Sequence, residues 1–420
     1  MKERSAWRIL PLLLLVSGFL FSQADAAWVR EADVSGQPSG KPVKGGGSIT
    51  AIHDTVYLII GNNTLDVMKY SIGGNSWTAL NPGMPQGDKN KRAKKGAWMA
   101  DDKEKAYVFK GGGTNEFYSY DPATGTWTSL ASPAFTKGVK GGFATYAKFG
   151  GTEYIYAGSG SKTSEWKRLN IGTGAWEVAN PLALPVAKVK IGSSLAFADG
   201  KMYFLRAGGK ETNFYVADLE ATTPVWTAMK TLPLAPPVGK RKKVKEGGCL
   251  QFHDSVLYAV KGGNTKDFWS YDPLTDAWTY VGEVGDGGAT KGIKCGTSLA
   301  RGGDGIFCII GNNTNEFWHY TPPVLKGQAP GPSTNGGASP MAGMALRAVP
   351  NPASGATTIR CSLPTAVPSR LSIFNALGEL AYSATSGTGS FGTLRLPAGV
   401  YVMRVAAGGS SAVSSLVVLK

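Results

Sequence analysis

Histidine, cysteine and acid are all scarce in this chain, and each scarcity removes a class of function. Only three histidines occur in 420 residues, His53, His253 and His319. His53 and His253 each precede an aspartate in corresponding turns and read as turn residues, while His319 falls on the third strand of the sixth segment. A copper centre needs two histidines converging with tyrosines, and that set is not assembled. The four cysteines, Cys249, Cys295, Cys308 and Cys361, form no CxxC pair and no zinc spacing. Cys249 and Cys308 fall among apolar strand residues and read as buried free thiols. No Gly-x-Ser-x-Gly and no His-Glu-x-x-His occurs. No metal, cofactor or catalytic residue is therefore assigned, and whether the chain is an enzyme stays open.

Long hydrophobic runs are missing too, apart from one at the start. Met1 to Arg4 and Arg8 give a charged opening, Ile9 to Phe21 an apolar stretch, and Ala24-Asp25-Ala26 a small-x-small end. These are the three parts of a signal peptide over 1–26, with Ala27 the expected mature start. Nothing later is apolar enough to span a bilayer. The mature chain is expected to leave the cytoplasm.

Glycine (57 residues) and aromatic residues are plentiful, as suits an all-β protein with many tight turns. The formal charge is +15. Residues 324–420 hold seven bases and a single acid, Glu379, and the basic excess of 27–323 is a further surface that could meet an anion.

A repeat of about 45–55 residues organises 27–323. Six segments share a lysine, a Val/Tyr/Ile run and an aromatic residue, most with a glycine-rich turn between, and the first five close on a tryptophan. Segment two shows the pattern in full: Lys95-Gly96, Tyr107-Val108-Phe109, Gly111-Gly112-Gly113-Thr114-Asn115-Glu116-Phe117, Tyr120 and Trp127. Each unit reads as four short strands, with turn residues such as Asp121-Pro122-Ala123-Thr124-Gly125 before the last. The sixth segment ends at Tyr320 without its tryptophan strand. The missing piece is Ala27-Trp28-Val29-Arg30. Trp28 stands sixteen residues before Lys44, as Trp278 stands sixteen before Lys294. The N-terminal strand is thus expected to complete the sixth unit and remove two open sheet edges.

The doublets Gly262-Gly263 and Gly112-Gly113, each followed by a tyrosine (Tyr271, Tyr120) and then a tryptophan seven residues on (Trp278, Trp127), resemble the kelch family over roughly 28–321. That resemblance implies a six-bladed β-propeller. Segment one departs from it with Gly61-Asn62-Asn63, and segment four with an inserted Thr223-Pro224. Residues 324–345, rich in Gly, Pro, Ser and Ala, read as a linker. The following 346–420 reads as a small immunoglobulin-like β-sandwich. Its Asn351-Pro352, Ile373-Phe374-Asn375, Leu396-Pro397-Ala398-Gly399-Val400-Tyr401 and Val417-Val418-Leu419-Lys420 resemble the type A sorting domain of the type IX secretion system. The resemblance implies export through that machinery as a partner, across the outer membrane of a Gram-negative cell, to its surface or the medium.

Lysine is the most unusual repeated feature. Lys44, Lys95, Lys140, Lys190, Lys245 and Lys294 recur once per segment, and Lys41, Arg92, Lys137, Lys242 and Lys291 stand three residues earlier in five of them. On a propeller these positions ring the mouth of the central channel, where they would focus positive potential on an anion. A competing reading pairs each lysine with the acid that precedes the aromatic strand: Asp66, Glu116, Glu165, Asp267 or Glu316. Such pairs would glue blade to blade and cancel the field. The glycine-flanked polar residues Asn63, Thr114, Asn115, Asn264, Thr265 and Asn313 either meet sugar hydroxyls or simply make good turns. Three functions stay open: a binding module for an anionic glycan, another polyanion or a protein partner; a mutarotase-like, sugar-modifying enzyme at the channel mouth; and a structural surface protein with its lysines in salt bridges. Nucleic acid is not an expected partner, because the repeated tryptophans belong on packing faces rather than on exposed stacking platforms.

Overall fold

The structure is a computed structural model. It describes residues 27–322 and 345–419, with short interruptions at 179–181, 199, 210–212, 254–255, 274, 304, 350, 352, 355, 363–368, 376–379, 387–389 and 408–409. The expected signal peptide and nearly all of the expected linker lie outside the described residues.

The described chain is built of strands, with one short 3-10 turn at Val284–Gly287. Five antiparallel four-stranded sheets follow one another. Sheet one is β2 (Ser48–Ile52), β3 (Thr55–Ile59), β4 (Val67–Ser71) and β5 (Ser76–Ala79). Sheet two is β6 (Trp98–Asp101) to β9 (Thr126–Leu130), and sheet three β10 (Phe143–Phe149) to β13 (Trp176–Val178). Sheet four is β14 (Ser194–Ala198) to β17 (Trp226–Met229), and sheet five β18 (Cys249–His253) to β21 (Ala277–Glu283). Sheet six takes β22 (Ser298–Gly302), β23 (Gly305–Ile309) and β24 (Phe317–Thr321), and its fourth strand is β1 (Ala27–Arg30) from the far end of the chain.

Trp28 lies opposite Tyr320 in that pairing, just as Trp77 lies opposite Tyr70, Trp127 opposite Tyr120 and Trp278 opposite Tyr271. Ring centroids in the four pairs are 5.1, 5.1, 5.0 and 4.9 Å apart. The outer-strand tryptophans also tie consecutive sheets together. Trp77 Nε1 donates to the carbonyl of Ala32 at 2.8 Å, Trp176 to Ala131 at 2.7 Å and Trp278 to Lys230 at 2.9 Å.

The second strand of each sheet is an almost unbroken apolar run because both its faces are covered. β3, β7 (Ala106–Phe109), β15 (Lys201–Leu205), β19 (Val256–Val260) and β23 bury nearly every residue, whereas the outermost strands are half exposed. Six apolar clusters fill the spaces between consecutive sheets, including one where Phe307, Ile309 and Phe317 of sheet six meet Ile49, Val56 and Tyr70 of sheet one. The first strands pack in a cyclic order: β2 on β6, β6 on β10, β10 on β14, β14 on β18, β18 on β22, and β22 on β2. This arrangement is that of a β-propeller-like fold, whose radial sheets bury both faces without leaving a long free edge.

Residues 345–419 form a separate pair of sheets. β25 (Ala345–Val349), β26 (Ala356–Ser362) and β29 (Ser390–Arg395) make one. The other, ordered β28-β27-β30-β31, joins Leu380–Ser386, Ser369–Asn375, Gly399–Ala407 and Ser410–Val418. Leu346, Ile359, Leu371, Ile373, Met403 and Leu416 are among the residues of their shared core.

Candidate functional site

The connection leading into each sheet ends on one short pattern. A buried apolar residue (Val43, Ala93, Val139, Val189, Val244 or Ile293, each at most 1% exposed) is followed by a lysine, one further residue and the turn into the first strand. The apolar residue is held by the neighbouring sheet. Ala93 N donates to Thr64 O and Asn63 N to Ala93 O, both at 2.9 Å, and the same exchange joins Val139 to Thr114 and Gly113. It recurs between Val189 and Thr163/Lys162, between Ile293 and Thr265/Asn264, and between Val43 and Thr314/Asn313. In the remaining place Gly208 N donates to Val244 O at 3.2 Å. All six sheets are therefore linked in sequence by backbone hydrogen bonds on one face, and the turn loops and the incoming connections open together there.

Anchored this way, the lysine position is unambiguous, and it corrects one expectation. In sheet two the equivalent residue is Lys94, not Lys95. Lys94 N donates to Lys110 O and Ala97 N to Lys94 O, matching Lys44 with Ile60 and Gly47, and Lys245 with Lys261 and Gly248. The two adjacent lysines make the register ambiguous in sequence, whereas the hydrogen bonds fix it. The cyclic set is Lys44, Lys94, Lys140, Lys190, Lys245 and Lys294. All six are exposed. By the same shift Lys91, rather than Arg92, corresponds to Lys41, Lys137, Lys242 and Lys291. Of these outer bases all but the half-buried Lys41 and Lys242 are exposed, as is Arg92.

The stems of Lys94, Lys190 and Lys245 lie against the glycine turns. A Cβ on Gly208 would stand 2.4 Å from Lys190 Cδ, one on Gly263 3.3 Å from Lys245 Cβ, and one on Gly112 3.5 Å from Lys94 Cβ. This gives the glycine doublet a physical role: it clears a path for the lysine stem. Gly263 also holds φ of +62°, which disfavours any side chain. Sheets one and six use Asn62 and Asn312 at that position, with φ of 47° and 52°. Asparagine tolerates the left-handed region, and here each side chain donates to a carbonyl, Pro42 O and Gly292 O, at 2.9 Å.

Pairing of the lysines with the repeated acids does not form. Among the described residues no carboxylate lies within 4 Å of any of the six. The acids are engaged elsewhere. Asp66 accepts from the backbone and hydroxyl of Ser39, Glu165 from those of Thr136, and Glu316 from those of Thr290. Each of these donors lies on the connection leading into the acid's own sheet, four or five residues before the lysine. Glu116 likewise accepts from the backbone N–H of Lys89 at 2.9 Å but also pairs with Lys110 at 2.8 Å, and Asp267 pairs with Lys261 at 2.7 Å, both lysines fully buried. These buried lysines follow the second strand immediately, at a place where sheets one and six carry Ile60 and Ile310. Their signal in the sequence was a charge at the end of an apolar run.

Lys95 does find an acid. Its Nζ lies 3.1 Å from Glu246, the residue after Lys245. Lys95 and Glu246 occupy the same register as Gly45, Gly141, Ile191 and Cys295, one residue inward of the lysine set. Sheets two and five are three steps apart in the cyclic order, so this ion pair spans the mouth.

The loop residues proposed for sugar contact divide. Thr114 and Thr265 spend their hydroxyls on Gly111 O and Gly262 O at 2.9 and 3.0 Å, and Asn115 donates to Phe135 O at 3.0 Å, so these three hold the turns. Asn63, Asn264 and Asn313 remain exposed at φ of 61–68°. In sheet three Lys162 takes this place at φ 65°, an exposed cation that the repeat pattern did not single out. No group of three metal-ligating side chains occurs among the described residues, and no described helix is long and apolar enough to cross a membrane.

Comparison with known proteins bears first on the tail. Residues 348–419 match the secretion system C-terminal sorting domain family. The chain is a secreted or cell-surface protein. No curated protein matches its sequence. Among solved structures, that of YjhT is 15% identical with a TM-score of 0.50, over 67% of this chain and 95% of YjhT, a likeness of fold alone. A Bacteroides thetaiotaomicron protein of unknown function aligns at 17% identity and a TM-score of 0.48, over 71% of this chain and 76% of its own. PorZ of Porphyromonas gingivalis, described as an essential surface component of the type IX secretion system, aligns at 14% and 0.37, over 89% and 51%.

Proposed function

We propose that residues 27–323 form a six-bladed, kelch-like β-propeller closed by the N-terminal strand, preceded by a signal peptide (1–26). A linker (324–345) joins the propeller to the sorting domain (346–420). On this reading the protein is an exported binding module, and the open propeller face recognises an anionic glycan. The observation that carries it is the set of six exposed lysines in one register, none with an acid partner among the described residues, while five repeated acids are committed to loops and buried bases. Lysine ammoniums act as point charges toward sulfate, phosphate or carboxylate. The exposed Asn63, Asn264 and Asn313 add amides for hydroxyls on the same face.

The test is retention on heparin and on an array of acidic glycans at rising salt. Wild type is expected to bind and to elute with salt, since exposed charges are screened. Replacing Lys44, Lys140, Lys190 and Lys245 by Gln should weaken binding by roughly tenfold or more, at about 0.2–1 kcal/mol per exposed charge pair. Absence of salt-sensitive retention by the wild type would end the proposal. A second reading, a sugar-modifying enzyme, rests on Glu246 and Lys95 facing one another at the mouth as an acid and a base. Turnover of an acidic sugar that disappears in Glu246→Gln would favour it.

A further inference from the structure

The lysine set is six-fold, but the bases around it are not. Lys89, Lys91, Arg92, Lys94 and Lys95 place five bases and no acid in seven residues leading into sheet two. Lys240, Arg241, Lys242, Lys243 and Lys245 place five bases and no acid in six residues leading into sheet five. All ten are exposed except Lys242, which is half-buried. The connections into the other sheets carry only the ring lysine and one further base near it: Lys41, Lys137, Lys188 or Lys291. The two dense segments belong to sheets three steps apart in the cyclic order, on opposite sides of the mouth. Lys95 and Glu246 join them across it at 3.1 Å.

We infer that these two segments and the bridge between them form one basic track across the face, fitted to a linear acidic polysaccharide that runs over the channel mouth rather than a compact anion seated in it. This rests on the anion-binding reading above and adds the shape of the ligand. The bridge spans the mouth and pairs the charge of Lys95, so the densest unpaired positive charge lies in the two segments on either side of it. Two clusters of at least four bases on opposite sides reward a ligand that reaches both, because the second contact becomes intramolecular once the first is made. The outer-strand tryptophans Trp77, Trp176 and Trp278 donate to backbone carbonyls of neighbouring sheets. That favours a sugar polymer over a single-stranded nucleic acid.

The experiment uses the full chain and size-fractionated heparin oligosaccharides, with a sulfated disaccharide as the compact probe. Affinity should rise steeply once the oligosaccharide spans both clusters. Lys89→Gln/Lys91→Gln/Arg92→Gln, or Lys240→Gln/Arg241→Gln/Lys243→Gln, should each lower long-chain affinity about tenfold at three exposed charge pairs. The charge-matched Lys137→Gln/Lys188→Gln/Lys291→Gln should change it less than twofold, and disaccharide binding should be unmoved by all three. Equal losses from the three triple variants, or affinity independent of length, would overturn the track while leaving the lysine set as the site. Equally tight, equally track-dependent binding of a poly-dT oligonucleotide would overturn the choice of polysaccharide. Failure of every anion to bind would instead remove the underlying reading.

Discussion

Closure by the N-terminal strand decides whether the lysines form a ring at all, and Trp28 is the residue on which closure turns. Its side chain is 8% exposed, with its ring 4.9 Å from Phe268 and 5.1 Å from Tyr320. It also lies in a cluster with Val260, Val284, Leu299 and Cys308. Removing a buried tryptophan side chain costs about 3–5 kcal/mol in lost transfer energy and residual cavity. Loss of two aromatic contacts falls within that figure. For a folded region of about 300 residues, this corresponds to a fall in melting temperature of roughly 5–8 °C. Trp28→Ala should show it by calorimetry or by circular dichroism at one scan rate. Val29 is the internal control: it sits next to Trp28 on the same strand but is 50% exposed, and Val29→Ala should stay within about 0.5 kcal/mol of wild type. If Trp28→Ala were no more destabilising than Val29→Ala, β1 would not be holding sheet six to the rest, and the cyclic arrangement of the lysines would fail with it.

Two further perturbations probe buried charge. Burial pushes the Asp101 carboxyl up to about 6, against the hydrogen bonds from Thr50 and the Lys103 amide that favour its charged form. A carboxyl whose folded pKa exceeds its unfolded value binds more protons when folded, so its contribution to stability is full below pH 4 and is lost as pH rises towards 6. Asp101→Asn should therefore gain on wild type by about 2–3 kcal/mol between pH 4 and pH 7 in urea denaturation, and a constant difference would refute this. Lys261, fully buried and 2.7 Å from Asp267, should behave as half of an obligate pair. Lys261→Met alone strands a carboxylate and should cost about 3–5 kcal/mol, whereas Lys261→Met with Asp267→Leu should recover most of that loss in the same assay.

Much of this architecture was legible in the sequence because a radial sheet writes its environment into its residues. The second strands are apolar throughout because they are covered on both faces, and the tyrosine–tryptophan spacing of seven records the register of the third and fourth strands. The displaced strand β1 could be found because Trp28 keeps the same spacing to the following lysine as Trp278. The site was less legible. Lys94 and Lys95 are adjacent and chemically identical, and only the backbone bonds from Lys94 to Lys110 and Ala97 assign their register. The buried pairs of Lys110 and Lys261 escaped because a lysine closing an apolar strand looks like the start of a loop. Thr114 and Asn115 looked free in sequence because nothing in it reveals that Gly111 O and Phe135 O take their donors.

The fate of the acids argues that the lysine positions are not there for cohesion. If ammonium–carboxylate pairs were the glue between sheets, the acid before each third strand would turn to the lysine of its own or the next sheet, because both lie on the same face. Instead Asp66, Glu165 and Glu316 bind amides and hydroxyls of Ser39, Thr136 and Thr290, only four or five residues before those lysines. Cohesion between the sheets is supplied by other means: backbone exchange such as that between Ala93 and Thr64, tryptophan–carbonyl bonds, and six apolar clusters. An exposed lysine adds nothing to any of these, and six cations held in one register repel one another. Among the described residues no carboxylate lies within 4 Å of any of these lysines to offset that repulsion, which is the observation the anion-binding proposal rests on.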